Sequence, residues 1–295
     1  MTSPPPDRHS GEGRDLPPVG RPSKPDRGAG LRRDDGERLA QSTNLTIIFR
    51  IVLRVGMLIG FLLYCLVGYG IARVAGTPLT WVRRFLKGAA RVLGADVTVE
   101  GTPLPANVLY VANHLSWFDI LAMGGATGTA FVSKDSVAAW PVVGWLARVG
   151  GTIFIARTSR AAARSQADAL AAALATGRPA TLFPEGTVDD GRTLLPFRAA
   201  LFGAAPAAGV VVQPVAIDYG TAATEIAWAQ DETALAVARR LIGRAGRLAV
   251  TLRFLAPLAP SADRKQLAAA AQAAIDAALG DRGYPLSPGS PIAPG

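Results

Sequence analysis

The chain contains two histidines, and only His114 lies outside the Pro/Gly/Arg-rich stretch at the start. It belongs to the run Asn-His-Leu-Ser-Trp-Phe-Asp at 113–119, in which Asp119 follows five positions later. An imidazole can take a proton from a hydroxyl near neutral pH. A carboxylate bonded to one ring nitrogen fixes tautomer and orientation and leaves the other nitrogen to accept. The preceding Val-Leu-Tyr-Val-Ala is strand-like, so His114 is expected at a strand end, with Ser116 capping a helix whose first turn carries Asp119. On spacing alone a structural histidine in a turn is the commoner meaning of such a pair. Elimination strengthens the catalytic reading without overturning the structural one, because His9 sits in the tail and a folded domain has no other histidine.

Other catalytic chemistries find little support. There is no Gly-x-Ser-x-Gly elbow, P-loop or Gly-x-Gly-x-x-Gly fingerprint, and the single cysteine, Cys65, lies inside an apolar run. No disulfide framework can form within the chain, and His, Cys and carboxylates do not cluster near His114 as a metal site would require. Two further strand ends carry polar groups: Gly-Gly-Thr-Ile-Phe-Ile-Ala-Arg, ending at Arg157, and Thr-Leu-Phe-Pro-Glu-Gly-Thr, with a turn at Glu185, Gly186 and Thr187. A guanidinium and the amides of a Gly-Thr turn can jointly hold an anion. Each is weak alone, since Arg157 also suits a surface strand end and Glu185 a cap or an arginine pair.

The elements that must position these groups begin near residue 95, where short β-rich runs alternate with helical ones. Seven strands are expected within 95–101, 108–114, 129–134, 151–157, 180–186, 210–219 and 247–255. Helices are expected at 138–150, at 159–177 and finally at about 261–279, between a Ser261 cap and Gly280. This alternation predicts an α/β domain over 95–280, a mixed sheet covered by helices, followed by a disordered tail at 281–295.

Ahead of it, residues 1–43 read as a disordered tail, and no apolar run appears before residue 45, so the tail is expected to stay where it was made. Residues 44–94 read as a membrane-anchoring helical hairpin. The 18 uncharged residues at 55–72 would span about 27 Å as a helix, close to the ~30 Å of a hydrocarbon core. Arg50 and Arg54 share a helical face suited to snorkelling toward headgroups. After Gly-Thr-Pro at 76–78, Val82, Leu86, Ala89 and Leu93 form an apolar face and Arg84, Lys87 and Arg91 a basic one, with Trp81 at headgroup depth. A buried core helix and a solvated basic face are the plainer meanings of these two segments. A mean hydropathy of +0.26 and a pI near 10.4, with a formal charge of +9, favour an anionic partner. Nucleic acid would explain the charge, but neither the uncharged run nor the scarcity of aromatic platforms. An anionic membrane surface accounts for both the charge and the uncharged run, and no nucleic-acid partner is expected.

Taken in order, the motifs resemble the glycerolipid acyltransferase superfamily, typified by 1-acylglycerol-3-phosphate acyltransferases. The resemblance rests on Asn-His-Leu-Ser-Trp-Phe-Asp, Ile-Phe-Ile-Ala-Arg, Phe-Pro-Glu-Gly-Thr and Val-Val-Val-Gln-Pro-Val-Ala-Ile, supported by Lys134 and the Pro141, Gly144, Arg148, Gly150 and Gly151 pattern. It covers about residues 80–255. The resemblance implies a glycerol-3-phosphate acyltransferase-like fold and transfer of a fatty acyl chain from acyl-CoA or acyl carrier protein to the free hydroxyl of a lysolipid. It implies no cofactor beyond that co-substrate and no metal, with His114 as base and Asp119 as its orienter. Arg157, Glu185, Gly186 and Thr187 would position the acceptor headgroup, and Pro214 would shape the site near the acyl donor. The implied location is the inner, cytoplasmic membrane, with the active site facing the cytoplasm.

The implied acceptor is 1-acyl-sn-glycerol-3-phosphate, giving phosphatidic acid in phospholipid biosynthesis. Val188, however, stands where many lysophosphatidate acyltransferases have arginine, and Asp189 and Asp190 follow. Phe-Pro-Glu-Gly-Thr-Val-Asp-Asp-Gly-Arg also resembles members that acylate lyso-ornithine lipid, whose headgroup carries an ammonium. That acceptor is the alternative expectation, and a catalytically inactive lipid-binding membrane protein is a remoter one.

Overall fold

The structure, a computed structural model, describes residues 33–155, 160–188, 190–229 and 231–280. The tail readings for 1–32 and 281–295 and the proposed site residue Arg157 lie outside them. Residues 1–44 and 45–295 form separate units, and of the first only helical backbone from Arg33 onward is described. Helix therefore starts ahead of the expected boundary at 44. Glu37, Arg38, Leu39, Ala40 and Gln41 are all strong helix formers, which the Pro/Gly content of the stretch before them obscures.

Seven strands lie inside the seven expected runs: β1 Ala95–Glu100, β2 Val108–Ala112, β3 Ala130–Lys134, β4 Ile153–Ile155, β5 Ala180–Leu182, β6 Val211–Asp218 and β7 Leu248–Phe254. They form one sheet in the order β1-β7-β6-β2-β5-β3-β4. Every pairing is parallel except β6 with β7, so the sheet is mixed, as expected. The helices are α1 Arg33–Val74, α2 Leu79–Val92, α3 Phe118–Thr127, α4 Pro141–Val149, α5 Arg160–Leu174, α6 Ala204–Ala208, α7 Ala223–Ile226, α8 Ala234–Gly243 and α9 Arg264–Gly280.

β2 shows why the sheet is central. All five of its residues are buried, and they alternate between two cores as a pleated strand must. Val108, Tyr110 and Ala112 join Phe118, Met123, Val237 and Leu241 of α3 and α8 on one face. Leu109 and Val111 join Leu170, Leu174, Leu267 and Ala271 of α5 and α9 on the other. A near-continuous apolar strand covered on both sides is what a parallel sheet between helical layers requires.

α1 and α2 form an antiparallel hairpin packed ring against glycine. Phe61 stacks on Phe85 at 6.2 Å, and Tyr64 meets Trp81 edge-on at 5.4 Å. A Cβ on Gly68 would lie 2.4 Å from the Trp81 ring, and one on Gly88 would lie 2.1 Å from the Phe61 ring. Gly88→Val is accordingly expected to destabilise the hairpin by about 1–3 kcal/mol, the usual range for overpacking, read as a lower thermal midpoint in detergent micelles. α2 also packs on α3: Arg83 donates to the carbonyls of Gly125 and Ala126 at 3.3 and 2.5 Å, at the end of that helix.

Two local expectations are corrected. Arg50 and Arg54 do not snorkel. Arg50 donates to the Gly243 carbonyl at 2.8 Å, and Arg54 donates to those of Ile242 and Arg244 at 2.8 and 2.9 Å. They satisfy the orphan carbonyls at the C-terminal end of α8, where cations also suit the helix dipole. α9 begins at Arg264 and not at Ser261. Asp263 accepts from the amides of Lys265 and Gln266 at 2.8 and 3.4 Å, so it is the capping side chain.

Candidate active site

The carboxyl ends of β2, β5 and β6 are neighbours in the sheet, and the motif residues leave the chain there. Asn113 extends the ladder past the end of β2 with its side chain. Its amide donates to the Ile217 carbonyl at 2.9 Å and its oxygen accepts from the Ile217 N–H at 2.7 Å. That clasp fixes the backbone immediately before His114. Ser116 Oγ accepts from the Phe118 N–H at 3.2 Å, starting α3 with Asp119 in its first turn. A strand end and a helix start are thereby locked within six residues of each other, and the His/Asp spacing becomes a contact.

His114 Nδ1 lies 2.8 Å from Asp119 Oδ2. That oxygen also accepts from the amides of Leu115 and Ser116 at 2.7 and 3.0 Å, while Oδ1 accepts from the Tyr219 hydroxyl at 2.6 Å. Every partner of this fully buried carboxylate is a donor, which assigns the ring proton to Nδ1 and leaves Nε2 as the acceptor. Among the described residues no hydrogen bond reaches Nε2, and the ring keeps 20% of its exposure. Phe183 stacks on the imidazole with centroids 4.1 Å apart and planes 16° from parallel, holding it edge-outward. The Tyr219 phenol is held well above its ordinary pKa by burial first and then by the adjacent Asp119 charge and hydrogen bond, so it remains a donor.

A cleft at His114 is lined by Asn113, Leu115, Glu185, Gly191, Thr193 and Leu194 besides the histidine itself. Glu185 is 5% exposed and clamps its rim: one oxygen accepts from the His114 amide at 2.7 Å and the other from the Leu195 amide at 3.0 Å. Its carboxylate thus ties the histidine turn to the 190–195 loop. Gly186 donates its amide to the Phe183 carbonyl at 3.2 Å. Thr187 is exposed beside it. Pro214 is buried in β6 opposite Val111 and does not line the cleft. Alternation along β6 directs it away from the face on which Val215 and Ile217 pack.

Sequence reasoning missed Tyr219, Phe183 and the 190–195 loop as parts of the site. Gly191 was a readable signal for the loop: its φ is +74°, and a Cβ there would lie 2.9 Å from the Ala223 carbonyl oxygen. Only glycine lets the loop lie against α7 in that conformation. Nothing near Tyr219 in the chain announces it, since its partner is 100 residues away. Among the described residues no group of three or more His, Cys, Asp or Glu is arranged to hold a metal ion.

A partly exposed His114 paired with a buried Asp119 at the carboxyl edge of a mixed sheet, joined to an apolar hairpin, defines a class of protein. An acyltransferase family model matches residues 96–218. The lyso-ornithine lipid O-acyltransferase of Pseudomonas aeruginosa is 36% identical over 246 residues, covering 78% of this chain and 93% of that protein. The chain belongs to the acyltransferase family. The enzyme of the same name from Rhodobacter capsulatus is 37% identical over 201 residues, or 65% of this chain and 72% of its own. The 1-acyl-sn-glycerol-3-phosphate acyltransferase of Neisseria meningitidis is 39% identical over 131 residues, 44% of this chain and 51% of its own. Among solved structures, the 1-acyl-sn-glycerophosphate acyltransferase of Thermotoga maritima superposes with a TM-score of 0.64 over 84% of this chain and 99% of its own, at 22% identity. That likeness establishes the shared fold.

Proposed function

We propose that this acyltransferase works at a membrane as a lysolipid O-acyltransferase, with His114 as the base. The observation that carries the reading is the buried donor set around Asp119, which fixes His114 with Nε2 presented to the cleft. Nε2 takes the proton of a lysolipid hydroxyl, and the oxygen attacks the thioester carbonyl of acyl-CoA or acyl carrier protein. As the tetrahedral adduct collapses, the C–S bond breaks and the thiolate leaves with the proton from the imidazolium. No acyl-enzyme is needed, in keeping with Cys65 lying away in the hairpin. The 31-residue apolar segment Asn44–Val74 is long enough to cross a membrane. Together with the lipid acceptors named for the relatives, it supports a membrane location, with the site on the cytoplasmic side where acyl thioesters are made.

The acceptor we favour is lyso-ornithine lipid. The Pseudomonas relative, 93% of whose length is matched, carries that name, and the chain departs from the phosphate-binding pattern at Val188. Arg192, the next cation along, lies 3.4 Å from Asp190 through its Nε, and its amide donates to the same carboxylate at 3.0 Å. Asp190 thus partly neutralises the cation that could have replaced the missing arginine. Asp189 lies outside the described residues, and Arg157 remains a proposed headgroup contact on the strength of its motif. Lysophosphatidate is the second reading, favoured by the Neisseria relative.

Val188→Arg is expected to raise relative kcat/KM for lysophosphatidate over lyso-ornithine lipid roughly tenfold, the scale of one charge-assisted hydrogen bond. The deciding assay gives purified protein a labelled acyl donor and a panel of lysolipids. Label should enter lyso-ornithine lipid. Product from lysophosphatidate alone would reassign the acceptor, and no product from any lysolipid would end the reading.

A further inference from the structure

The stretch from Trp140 into α4 presents large apolar side chains to solvent. Trp140 is 44% exposed, Val142 62%, Val143 48% and Trp145 44%, and Pro141 is exposed between them. Val142 and Trp145 are three apart and share one helical face with Arg148, which is also exposed. Within α4, Gly144 is the residue turned inward, set so closely that an added Cβ would meet the Ala138 carbonyl oxygen at 2.4 Å. The helix therefore lies flat on the domain by its narrow side and shows its bulky side outward. An apolar strip with two tryptophans and an exposed arginine at its edge has the composition of a segment that lies in a lipid interface.

Its position says which surface covers it. A Cβ on Gly150, directly after α4, would lie 3.8 Å from Val82 of α2. Val82 neighbours Trp81, whose ring fills the space over Gly68 of α1. That contact falls on the first turns of α2, near the tip of the hairpin, while the other end of α2 runs back through Leu93 and Gly94 into β1. α4 thus stands beside the outer part of the hairpin, where α1 exposes Leu63, Tyr64, Val67 and Ile71. The C-terminal end of α4 and the first turns of α2 thus meet at Gly150 and Val82.

We propose that Trp140, Val142, Val143 and Trp145 form a second membrane contact, entering the leaflet that holds the α1–α2 hairpin. A hairpin alone leaves the domain free to pivot about it. A second contact through α4 fixes the tilt, which sets the height of the His114 cleft over the headgroups. The inference rests on the hairpin being in lipid and is independent of the acceptor's identity.

The test is site-directed spin labelling of the full chain in vesicles of phosphatidylglycerol and phosphatidylethanolamine, in a Cys65→Ala background. Val142→Cys and Trp145→Cys carry the label in turn, and Leu235→Cys on α8, 80% exposed, is the aqueous control. Labels at 142 and 145 should collide more with oxygen than with a nickel chelate, and the label at 235 should do the reverse. Nickel access at 142 and 145 equal to that at 235 would overturn the proposal. Dipolar broadening between copies, or protection only on adding an acyl carrier protein, would overturn it in favour of those occupants. In a parallel assay Val142→Asp/Val143→Asp should lower turnover of vesicle-embedded acceptor roughly tenfold, while turnover of detergent-dispersed acceptor is unchanged. Equal losses in both would also count against it.

Discussion

The His114→Ala protein is expected to bind membranes like the wild type and to lose acyl transfer, with kcat falling by about 10³-fold or more, toward the upper range for a general base. His114 is the only titratable side chain in the cleft with an uncommitted acceptor nitrogen among the described residues. Glu185, the other ionisable group there, has both oxygens bonded to backbone amides. The substitution removes a partly exposed ring and leaves the backbone clasp at Asn113 intact, so the fold has little reason to change. Circular dichroism and vesicle co-sedimentation check that, and a steady-state assay with labelled donor reads the loss. Nearly unchanged turnover with an intact fold would remove His114 from the chemistry.

Asp119→Asn is the second large effect. Asparagine keeps one acceptor oxygen, which can face the three donors now at Oδ2, and its amide can turn toward Tyr219, whose hydroxyl then accepts. The skeleton survives and the negative charge does not. The imidazolium formed when His114 takes the acceptor's proton loses its counter-charge, and kcat is expected to fall roughly 10²- to 10³-fold. Hydrogen bonds to a buried charge also become ordinary ones, which lowers stability by about 1–3 kcal/mol, read as a shifted denaturation midpoint. Tyr219→Phe removes only the donor at Oδ1, leaves the other three in place and should cost far less than Asp119→Asn. A Tyr219→Phe loss as large as that of Asp119→Asn would mean that the carboxylate acts through its position more than its charge.

The parts of the molecule that sequence made legible are those whose causes are local. Strand runs such as Val-Leu-Tyr-Val-Ala announce themselves by apolar β-branched and aromatic content, and all seven strands fall where such runs lie. The His114/Asp119 contact was legible because a strand end and a helix start lie within six residues. What pairs across the fold was not. Tyr219, just past the carboxyl end of β6, reaches Asp119 across 100 residues of sequence, and Glu185 reaches the His114 amide across 71. Sequence shows that a carboxylate is present but not what it bonds, so the two backbone amides that Glu185 accepts from, at His114 and Leu195, were not legible. Arg50 and Arg54 misled for the same reason: their spacing fits a membrane interface, and only the folded chain brings the end of α8 to them.

The central claim is that His114 activates a lysolipid hydroxyl for direct attack on an acyl thioester. The most direct measurement gives labelled acyl donor to wild-type and His114→Ala protein in vesicles, with and without lyso-ornithine lipid, and follows label into lipid and protein. Label should appear in the diacylated lipid only with wild-type protein and acceptor, and none should stay on the protein. Acceptor-dependent product from His114→Ala at wild-type rates, or label fixed covalently on the wild-type chain, would contradict it.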